Sequence, residues 1–504
     1  MSLACIHSRA LLGIDSVPVQ VEVHVTSGLP AFHIVGLPEA AVRESRDRVR
    51  AALLQCGFNF PNRRLTVNLA PADLPKGSGR FDLPIAIGIL VASDPLPAER
   101  SQARLFMGEL SLGGELRPIR GALAMALAVA REASPPPMVM PRANAAEVSR
   151  VPHVQIAVAG SFGEVCADLN GEARLPPLAR GPEAAAQTPA AALPDLRDVR
   201  GQTQAKRALE ICAGGGHSLL LVGPPGSGKS MLAQRLPGIL PPLSDAEALE
   251  TGAVASLAGR FDAAGWRTRP FRAPHHSAST AALVGGGTGL RPGEISLAHH
   301  GVLFLDELPE FGPRTLDSLR EPLETGRIAL SRAARQLDLP ARFQLVAAMN
   351  PCPCGHFGTP RCRCTPDIVR RYQQRLSGPL LDRLDLQLWV GPVTLDSLGN
   401  DRPDGDASAR VAARVQTARE RQLTRQGCVN AVLGPEQIEQ WCRLDRTGRD
   451  LMLAAAGRLH WSGRVFHRLQ KIARTIADLA GEAAINPGHV AQAIDMRRAL
   501  TTPD

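Results

Sequence analysis

Apolar and polar residues follow two different periods along the chain. Alternation over residues 19–26 predicts a strand with one buried face, while unbroken apolar runs at 218–222, 302–305 and 345–349 predict buried parallel strands. Helical spacing prevails from residue 410 to the end. The pattern therefore predicts a multidomain α/β protein whose last part is helical.

Changes in composition divide this pattern into four parts. Residues 1–170 mix strand and helix signals and predict an α/β domain of their own. Residues 171–193 are rich in Ala and Pro, which is typical of a linker. Residues 194–396 contain the buried parallel strands and predict a second α/β domain. Residues 397–504 begin with a stretch rich in Gly, Asp and Pro and continue as a helical domain.

Local periodicity also predicts single elements. In the first part we expect strands at 65–69, 136–140 and 155–159, helices at 39–56, 83–92, 121–131 and 162–169, and a hairpin around 113–114. In the last part we expect helices at 410–426, 435–442, 449–459, 463–480 and 487–499.

Composition is that of an ordinary globular protein. The 504 residues are 44% hydrophobic and 21% charged, which allows ample core. No apolar stretch is long enough to span a membrane and the N-terminus lacks a signal-peptide pattern, so we expect a cytoplasmic protein with no membrane contact. A net charge of +9 permits a polyanionic partner, whereas only 4% aromatic residues argue against extensive base stacking.

A phosphate-binding loop follows the apolar run at 218–222. Between this strand and a predicted helix, the pattern G-x-x-x-x-G-K-S/T is matched by Gly223, Pro224, Pro225, Gly226, Ser227, Gly228, Lys229 and Ser230. Glycines let backbone N–H groups surround phosphate oxygens, and a helix N-terminus adds its dipole. We expect Lys229 to contact the β- and γ-phosphates of ATP and Ser230 to hold Mg²⁺. A chance glycine-rich turn is the alternative.

Two carboxylates end the apolar run at 302–305. A buried parallel strand would place Asp306 and Glu307 at the carboxyl edge of the sheet, where ligands bind. We expect Asp306 to hold Mg²⁺ through water and Glu307 to polarise the attacking water. Asn350, which ends the run at 345–349, can orient the same water. Taken alone, a solvated acidic turn would explain the pair better; downstream of a phosphate loop it does not.

Several stretches carry a family resemblance. Together with the phosphate loop, residues 271–287, 291–311, 347–355 and 377–385 resemble the YifB/ComM family of magnesium-chelatase-like AAA+ ATPases, over nearly the whole chain. Some members are DNA branch-migration helicases in natural transformation, and the family forms hexamers. The resemblance implies a hexameric ATP-driven ring motor acting on DNA, with an AAA+ nucleotide-binding domain followed by a helical lid. A chelatase subunit and an ATPase-regulated protease or chaperone are the alternatives.

The resemblance also assigns catalytic roles. It makes 223–230 the Walker A loop, Asp306 and Glu307 the Walker B pair, and Asn350 sensor 1. Arg383 matches the arginine finger that enters a neighbouring subunit's site, where a planar guanidinium contacts developing phosphate charge.

Two of the arginine assignments have alternatives. Without the family, a surface salt bridge from Arg383 to Asp382 or Asp385 would be preferred. Arg464 matches sensor 2 on the lid, and Arg468, one helical turn away, is the other candidate.

Two further segments separate the motifs. The 77 positions between Lys229 and Asp306 exceed what a helix and a strand require, so we expect an insertion, formed by residues 271–290. Residues 326–339 predict two short strands with a basic turn, and related ring ATPases place such hairpins in the central pore. We expect Arg332 and Arg335 in this turn to contact DNA; a solvated hairpin tip is nearly as good an explanation.

Four cysteines form two C-x-C pairs separated by seven residues. Thiolates of Cys352, Cys354, Cys362 and Cys364 can meet at one tetrahedral point, which suits Zn²⁺, and metal is favoured over disulfides in a cytoplasmic chain. The spacing is tighter than in most zinc sites, so reduced thiols or a redox pair remain alternatives. His356, which would replace one of the four cysteines as a ligand, is a less favoured candidate.

The first domain resembles the Lon protease domain over residues 65–82. Lon uses a Ser–Lys dyad, but alignment on Pro75 and Lys76 places Arg80 at the serine position, and no lysine follows near Ala124. A serine without its base is a weak nucleophile. We predict a non-proteolytic domain that binds DNA or a partner through its arginine-bearing helix at 39–56.

Overall fold

The computed structural model describes residues 2–74, 76–178, 193–287, 291–332, 335–392 and 405–497, with the backbone alone at positions 40, 41, 331, 332, 335 and 336. The predicted linker at 171–193 lies mostly outside these residues. The start of the predicted helical domain at 397–404 also falls outside them, as do positions 498 and 499 of the last predicted helix.

A seven-stranded mixed sheet organises the N-terminal part. Its order is β3-β4-β2-β1-β5-β8-β9, with β1 Ser2–Leu12, β2 Asp15–Thr26, β3 Ala31–Val35, β4 Arg64–Ala70, β5 Leu105–Phe106, β8 Met138–Pro141 and β9 Ile156–Ala159. The predicted hairpin forms from β6 Glu109–Leu110 and β7 Leu116–Arg117. Alternate residues of β2, including Val19, Val21 and Val23, are buried, which confirms the predicted half-buried strand.

Helices cover this sheet, and all but Ala98–Gln102 and Ala145–Val148 lie close to the predicted positions. They are Ala40–Arg43, Ser45–Gln55, Asp82–Ala92, Ala98–Gln102, Ala122–Ala130, Ala145–Val148 and Phe162–Asn170, with 3₁₀ turns at Gly79–Phe81 and Arg142–Asn144. Asp82–Ala92 is buried all round, as its unbroken apolar sequence predicts. The long first strand, β1, was not predicted.

The second domain contains a five-stranded parallel sheet in the order β11-β14-β17-β10-β18. Its strands are β10 Leu219–Val222, β11 Phe271–Arg272, β14 Val302–Leu305, β17 Gln344–Met349 and β18 Leu386–Trp389. The three apolar runs thus form the three adjacent central strands, as predicted. Because all five are parallel, their carboxyl ends share one edge.

Short helices flank this sheet. They are Thr203–Gly215, Lys229–Arg235, Asp245–Leu257, Thr280–Val284, Glu294–Leu297, Pro313–Asp317, Arg320–Thr325, Pro366–Gln373 and Gly378–Leu381, with 3₁₀ turns at Leu196–Asp198, Leu236–Ile239 and Leu308–Glu310.

The predicted insertion at 271–290 is wrong at its start. Phe271–Arg272 is the edge strand of the main sheet, and the Phe271 ring stacks on Phe304 of β14 with ring centroids 6.0 Å apart. Only the residues after β11 leave the sheet, forming Thr280–Val284 and the small hairpin of β12 Gly285–Gly286 and β13 Arg291–Pro292.

A second hairpin lies between β14 and β17 in the chain, as predicted. Strands β15 Arg327–Arg332 and β16 Arg335–Pro340 pair antiparallel from Arg327↔Pro340 to Arg332↔Arg335. Ile328 and Leu339 bury its base in the domain core.

Helices form the last part, and they agree with the predicted ones. They are Ser408–Gln426, Pro435–Trp441, Arg446–Arg458, Gly463–Ala480 and Pro487–Asp495, with a 3₁₀ turn at Asn430–Val432. Leu469, Ile472 and Ile476 share one core with Leu386 and Leu388 of β18, so the helical part packs directly on the parallel sheet. None of the described helices is both long and apolar enough to cross a bilayer.

The N-terminal part also docks on the second domain. The Gly121 amide donates to the Ser256 carbonyl at 3.1 Å. Beside it, Leu123 lies so close to Gly252 that a Cβ there would stand 2.8 Å from the leucine. The helices Ala122–Ala130 and Asp245–Leu257 therefore cross in direct contact.

Candidate nucleotide site and cysteine cluster

A cavity of about 370 Å³ opens at the carboxyl edge of the parallel sheet. It is lined by Pro225, Gly226, Gly228, Lys229, Ser230, Met231, Asp306, Glu307, Met349 and Asn350. The loop after β10, the acids after β14 and the amide after β17 meet there. The structure thus brings together the predicted phosphate loop, both carboxylates and Asn350.

The phosphate loop needs glycine for two different reasons. Gly226 and Gly228 have φ of 76° and 86°, and each has open space where a Cβ would be, so their requirement is conformational. Gly223 is different, because a Cβ there would lie 2.2 Å from the Val390 carbonyl oxygen. The loop is therefore held against the chain that follows β18.

Lys229 lies among oxygen acceptors. Its Nζ donates to the carbonyls of Gly223 and Pro224 at 2.8 and 2.9 Å and to Asn350 Oδ1 at 3.2 Å. Burial lowers the pKa of the ammonium, and the charge of Asp306 opposes that shift. Phosphate oxygens at this loop would compete with these acceptors for the same three N–H donors.

Ser230 and Asp306 form a pair of oxygen ligands. Ser230 Oγ donates to Asp306 Oδ2 at 2.6 Å, and Asp306 Oδ1 accepts from the Glu307 amide at 2.9 Å. A hydroxyl beside a carboxylate is the donor set that Mg²⁺ prefers in phosphate sites. These two residues therefore fit the ion that ATP carries.

Glu307 has an unusual backbone. Its φ and ψ are 53° and 46°, a left-handed conformation that is rare for a residue with a side chain. Its carboxylate is 54% exposed and lies 3.1 Å from His276 Nδ1. The His276 ring in turn lies against His275, with ring centroids 4.1 Å apart and the planes tilted by 34°. Sequence reasoning missed His276, although its His-His pair lies within one of the stretches that carried the family resemblance.

Arg383 is bound within its own chain. Its guanidinium pairs with the carboxylate of Glu324 and donates from Nη1 to the Pro379 carbonyl at 2.7 Å. Its side chain is 12% exposed, and its Nε has no hydrogen-bond partner among the residues that the structure describes. The salt-bridge alternative to Asp382 or Asp385 was therefore wrong in its partner.

Arg464 and Arg468 have different surroundings. Arg464 is exposed in the first turn of Gly463–Ala480 and is not among the residues that line the cavity. Arg468 pairs with buried Asp385, at the start of β18, and donates to the Arg383 carbonyl at 3.2 Å. Burial alone would raise the pKa of Asp385, but His217 and Arg468 hold it well below its usual range.

The four clustered cysteines converge. Their Sγ atoms all lie within 4.8 Å of one another, and Cys352 is 3.4 Å from Cys354 and 4.0 Å from Cys362. Disulfides need sulfurs about 2 Å apart, so none is formed here. Backbone N–H groups of Arg363 and His356 lower the pKa of the Cys354 thiol to about 6, toward the thiolate that metals bind.

The predicted DNA contacts are placed only in part. Arg332 and Arg335 face each other as the last backbone pair of the β15–β16 hairpin. Their side chains lie outside the described part of the chain. At the hairpin base, Arg327 lies 3.8 Å from Asp338.

In the N-terminal part, Arg80, at the Lon serine position, contacts Met125, which follows Ala124 at the position compared with the Lon lysine. Buried Arg80 donates from Nε to Ser78 Oγ at 2.8 Å and from Nη1 to Met125 Sδ at 3.2 Å. Burial lowers the pKa of Arg80 to about 10. Ser78 is thus paired with a guanidinium, and Lys76 donates instead to the Pro71 carbonyl. Whether the fold is of the Lon type stays a prediction, as does the absence of protease activity.

Comparison with known proteins places this arrangement in a family. Models described as subunit ChlI of magnesium chelatase match residues 21–144 and 195–398, and a model of the ChlI C-terminal region matches 405–497. The chain is 49% identical to the uncharacterized protein YifB of Salmonella typhimurium, over 99% of this chain and 97% of the relative. It is also 49% identical to the competence protein ComM of Haemophilus influenzae, over 99% and 98% respectively.

The chain belongs to the YifB/ComM family of magnesium-chelatase-like ATPases. Its cavity groups the glycine-rich loop, two carboxylates and an amide at one sheet edge. For this member of the YifB/ComM family, the structure adds His276 beside Glu307 and the intrachain partner Glu324 of Arg383.

Proposed function

We propose that this protein is an ATP-hydrolysing ring motor that acts on branched DNA, as a branch-migration helicase does. The observation that carries the proposal is the β15–β16 hairpin. In the chain, this hairpin lies between β14, which precedes Asp306, and β17, which precedes Asn350. A basic tip is thereby attached to both sides of the nucleotide cavity, so a change at the γ-phosphate has a short route to the hairpin.

The cavity supports ATP hydrolysis by a division of labour. Lys229 and the loop amides hold the phosphates, while Ser230 and Asp306 fit Mg²⁺, which neutralises charge on the β- and γ-oxygens when bound. Glu307 acts as general base toward water, and Asn350 orients that water. The 3.2 Å contact from Lys229 to Asn350 supports placing both at the γ-phosphate.

Assembly into a closed ring completes the site. In this proposal Arg383 of each subunit contacts the γ-phosphate bound by its neighbour, and the ring is a hexamer. The proposed finger stands close to the lid, because Arg468 donates to the Arg383 carbonyl. A movement of the lid would therefore displace the backbone at Arg383. Arg464 is proposed as the lid residue that contacts ATP in a closed state.

DNA is the proposed partner because basic residues cluster in two loops. The sequence places Arg332 and Arg335 at the hairpin turn, and the cysteine loop adds exposed Arg361 and Arg363. Phosphate contacts of this kind supply most non-specific DNA affinity. The printed name of the Haemophilus influenzae relative, a competence protein, agrees with a DNA substrate.

The same cysteines are proposed to hold Zn²⁺. In a tetrahedral Cys₄ site with Zn–S near 2.3 Å, the sulfurs stand about 3.8 Å apart. The contacts from Cys352 to Cys354, from Cys354 to Cys362 and from Cys352 to Cys362, at 3.4, 3.7 and 4.0 Å, bracket that value. These three contacts therefore fit zinc, and Cys364 Sγ lies within 4.8 Å of the other three sulfurs.

A second candidate is a chelatase subunit, because the matching models are described as magnesium chelatase. The two are separated by measuring ATPase stimulation with a four-way DNA junction, single-stranded DNA, a porphyrin and casein. We expect stimulation by DNA and ATP-dependent unwinding of the junction, absent in Lys229→Ala. Stimulation by porphyrin alone would favour the chelatase, and by casein alone a protease or chaperone role.

A further inference from the structure

The cysteine cluster lies directly against the phosphate loop. Gly355, which follows Cys354, is buried and has φ of 79°. A Cβ at this position would stand 2.5 Å from Pro225 Cδ and 2.7 Å from Pro225 Cγ. The two loops therefore touch through a glycine that leaves no room for a side chain.

The cluster is also tied to Asn350. Only Pro351 separates Asn350 from the buried Cys352. The Pro351 carbonyl accepts from Gln373 Nε2 at 3.3 Å, and Asn350 itself accepts from Lys229 Nζ at 3.2 Å. Any movement of Cys352 thus reaches the sensor amide within two residues.

The segment that carries the thiols has little else to order it. Residues 351–365 contain turns but neither helix nor strand. The main-chain hydrogen bonds within it are Gly355 to Cys352, Thr359 to His356 and Cys362 to Thr359, at 2.9 to 3.1 Å. A loop of this kind gains most of its order from a cross-link, and a metal held by four thiolates provides one.

We propose that Zn²⁺ at Cys352, Cys354, Cys362 and Cys364 is a brace that holds Pro225 and Asn350 in the positions that bind nucleotide. The inference rests on the zinc site and the nucleotide function proposed above. It assigns the metal a part in the ATP site while it remains outside the cavity. Loss of zinc would free the cysteine loop. Pro225 would then lose its contact at Gly355, and Asn350 would lose the fixed segment that follows it.

The first test removes metal without touching the residues next to Asn350. Cys362→Ser/Cys364→Ser is compared with Cys5→Ser/Cys428→Ser, which replaces two thiols in the N-terminal sheet and the helical part. Zinc is measured by elemental analysis, and affinity with a fluorescent non-hydrolysable ATP analogue. We expect one zinc per chain in the wild type and the control, and none in the first variant. Analogue affinity of that variant should fall about tenfold, because Pro225 and Asn350 are then no longer held in position.

The second test keeps every thiol and changes the residue that makes the contact, Gly355, whose φ of 79° also disfavours a side chain. Gly355→Ala should retain zinc yet bind the analogue about tenfold more weakly, because its Cβ pushes Pro225 away. This variant decides the matter if loss of zinc prevents folding, which is checked by circular dichroism.

The outcomes separate the proposals. Loss of zinc, or Gly355→Ala, with unchanged analogue affinity overturns the brace and leaves the nucleotide function standing. A wild-type protein purified without chelators that carries no zinc overturns the brace and the metal site. A wild type that fails to bind the analogue overturns the brace and the ATPase function, whatever its zinc content.

Discussion

The guanidinium of Arg383 is paired with the carboxylate of Glu324 in the same chain. A finger that completes a neighbour's site must carry its charge at the subunit surface, and Arg383 is only 12% exposed. Glu324 itself is half exposed, so the pair stands at the surface even though the guanidinium is covered. We infer that assembly moves the guanidinium from Glu324 toward phosphate.

Replacement of the finger should separate ATP binding from hydrolysis. Arg383→Ala is expected to bind ATP normally and hydrolyse it about 1,000-fold more slowly, the usual effect of losing such an arginine. Arg370→Ala, which removes an exposed arginine paired with Asp367, is the control. Mixing Arg383→Ala with Glu307→Gln subunits should restore some turnover, since an intact base then meets an intact finger at some interfaces. Mixtures as inactive as their parents would show that Arg383 does not act in trans.

Substitutions on the two sides of the nucleotide cavity should affect different steps, ATP hydrolysis in one case and ATP binding in the other. Glu307→Gln is expected to keep ATP affinity and lose at least about 100-fold in kcat, because the carboxylate acts on water. Lys229→Ala should weaken binding itself, since its ammonium contacts phosphate. A fluorescent nucleotide measures affinity and phosphate release measures turnover. Normal turnover in Glu307→Gln would refute its role as base.

His276 is expected to position Glu307 rather than to bind nucleotide. His276→Ala should lower kcat about tenfold with KM unchanged, because the base loses the partner at 3.1 Å that orients it. His276→Asn keeps a donor and should restore part of the rate. His275→Ala is the control, since it removes the neighbouring ring and keeps the contact from His276 to Glu307. Equal losses in both alanine variants would mean that His276 matters only for packing.

Sequence predicted this site well because its parts are local. An apolar run followed by a polar residue fixes both the strand and the end at which the residue lies, which is why Asp306, Glu307 and Asn350 could be placed. His276 could not, since its partner stands 31 positions away across the sheet edge. The same limit explains why Glu324, 59 positions from Arg383, was missed.

The unpredicted strands have a similar explanation. In β1, His7, Ser8 and Arg9 interrupt the apolar pattern, but Ser8 and Arg9 are buried. Arg9 is accommodated by Ser16 on the neighbouring strand and by the carboxylate of Glu132. Tertiary contacts thus compensate the burial of Arg9, which the pattern alone assigns to the surface, whereas the Ser8 hydroxyl has no hydrogen-bond partner among the described residues. β11, with two residues, is too short for any period to be recognised.

The ion pair between Asp385 and Arg468 should stabilise the contact of lid and sheet. Asp385→Asn leaves Arg468 without its charged partner and should cost about 3 kcal/mol of unfolding free energy. Because the folded-state pKa of Asp385 is depressed, its contribution is fully present above the unfolded value near 3.9, declines as pH falls below that value, and is gone only below the folded-state pKa. Urea unfolding at pH 7 and pH 3 measures both effects. If the unfolding free energies of the wild type and Asp385→Asn differ by the same amount at both pH values, the charged pair is not the cause of the difference.

The hairpin tip is predicted to grip DNA, and its contribution should follow from charge alone. Arg332→Ala/Arg335→Ala removes two phosphate contacts, so the slope of log affinity against log salt should become about two units shallower. Affinity at low salt should fall for every DNA sequence alike, because phosphate contacts carry no base information. Basal ATPase should persist, since none of the described residues of the hairpin lines the nucleotide cavity.

A matched control uses the base of the same hairpin. Arg327→Ala removes one positive charge from β15, but this charge is paired with Asp338 and stands at the opposite end of the strand from the tip. Its salt slope should stay near that of the wild type, and so should its affinity for a four-way junction. Fluorescence anisotropy between 50 and 200 mM salt resolves the difference, because each lost contact changes affinity several-fold over that range. A tip variant with the wild-type slope would show that the protein does not hold DNA through this hairpin. The exposed Arg361 and Arg363 of the cysteine loop would then be the next residues to replace.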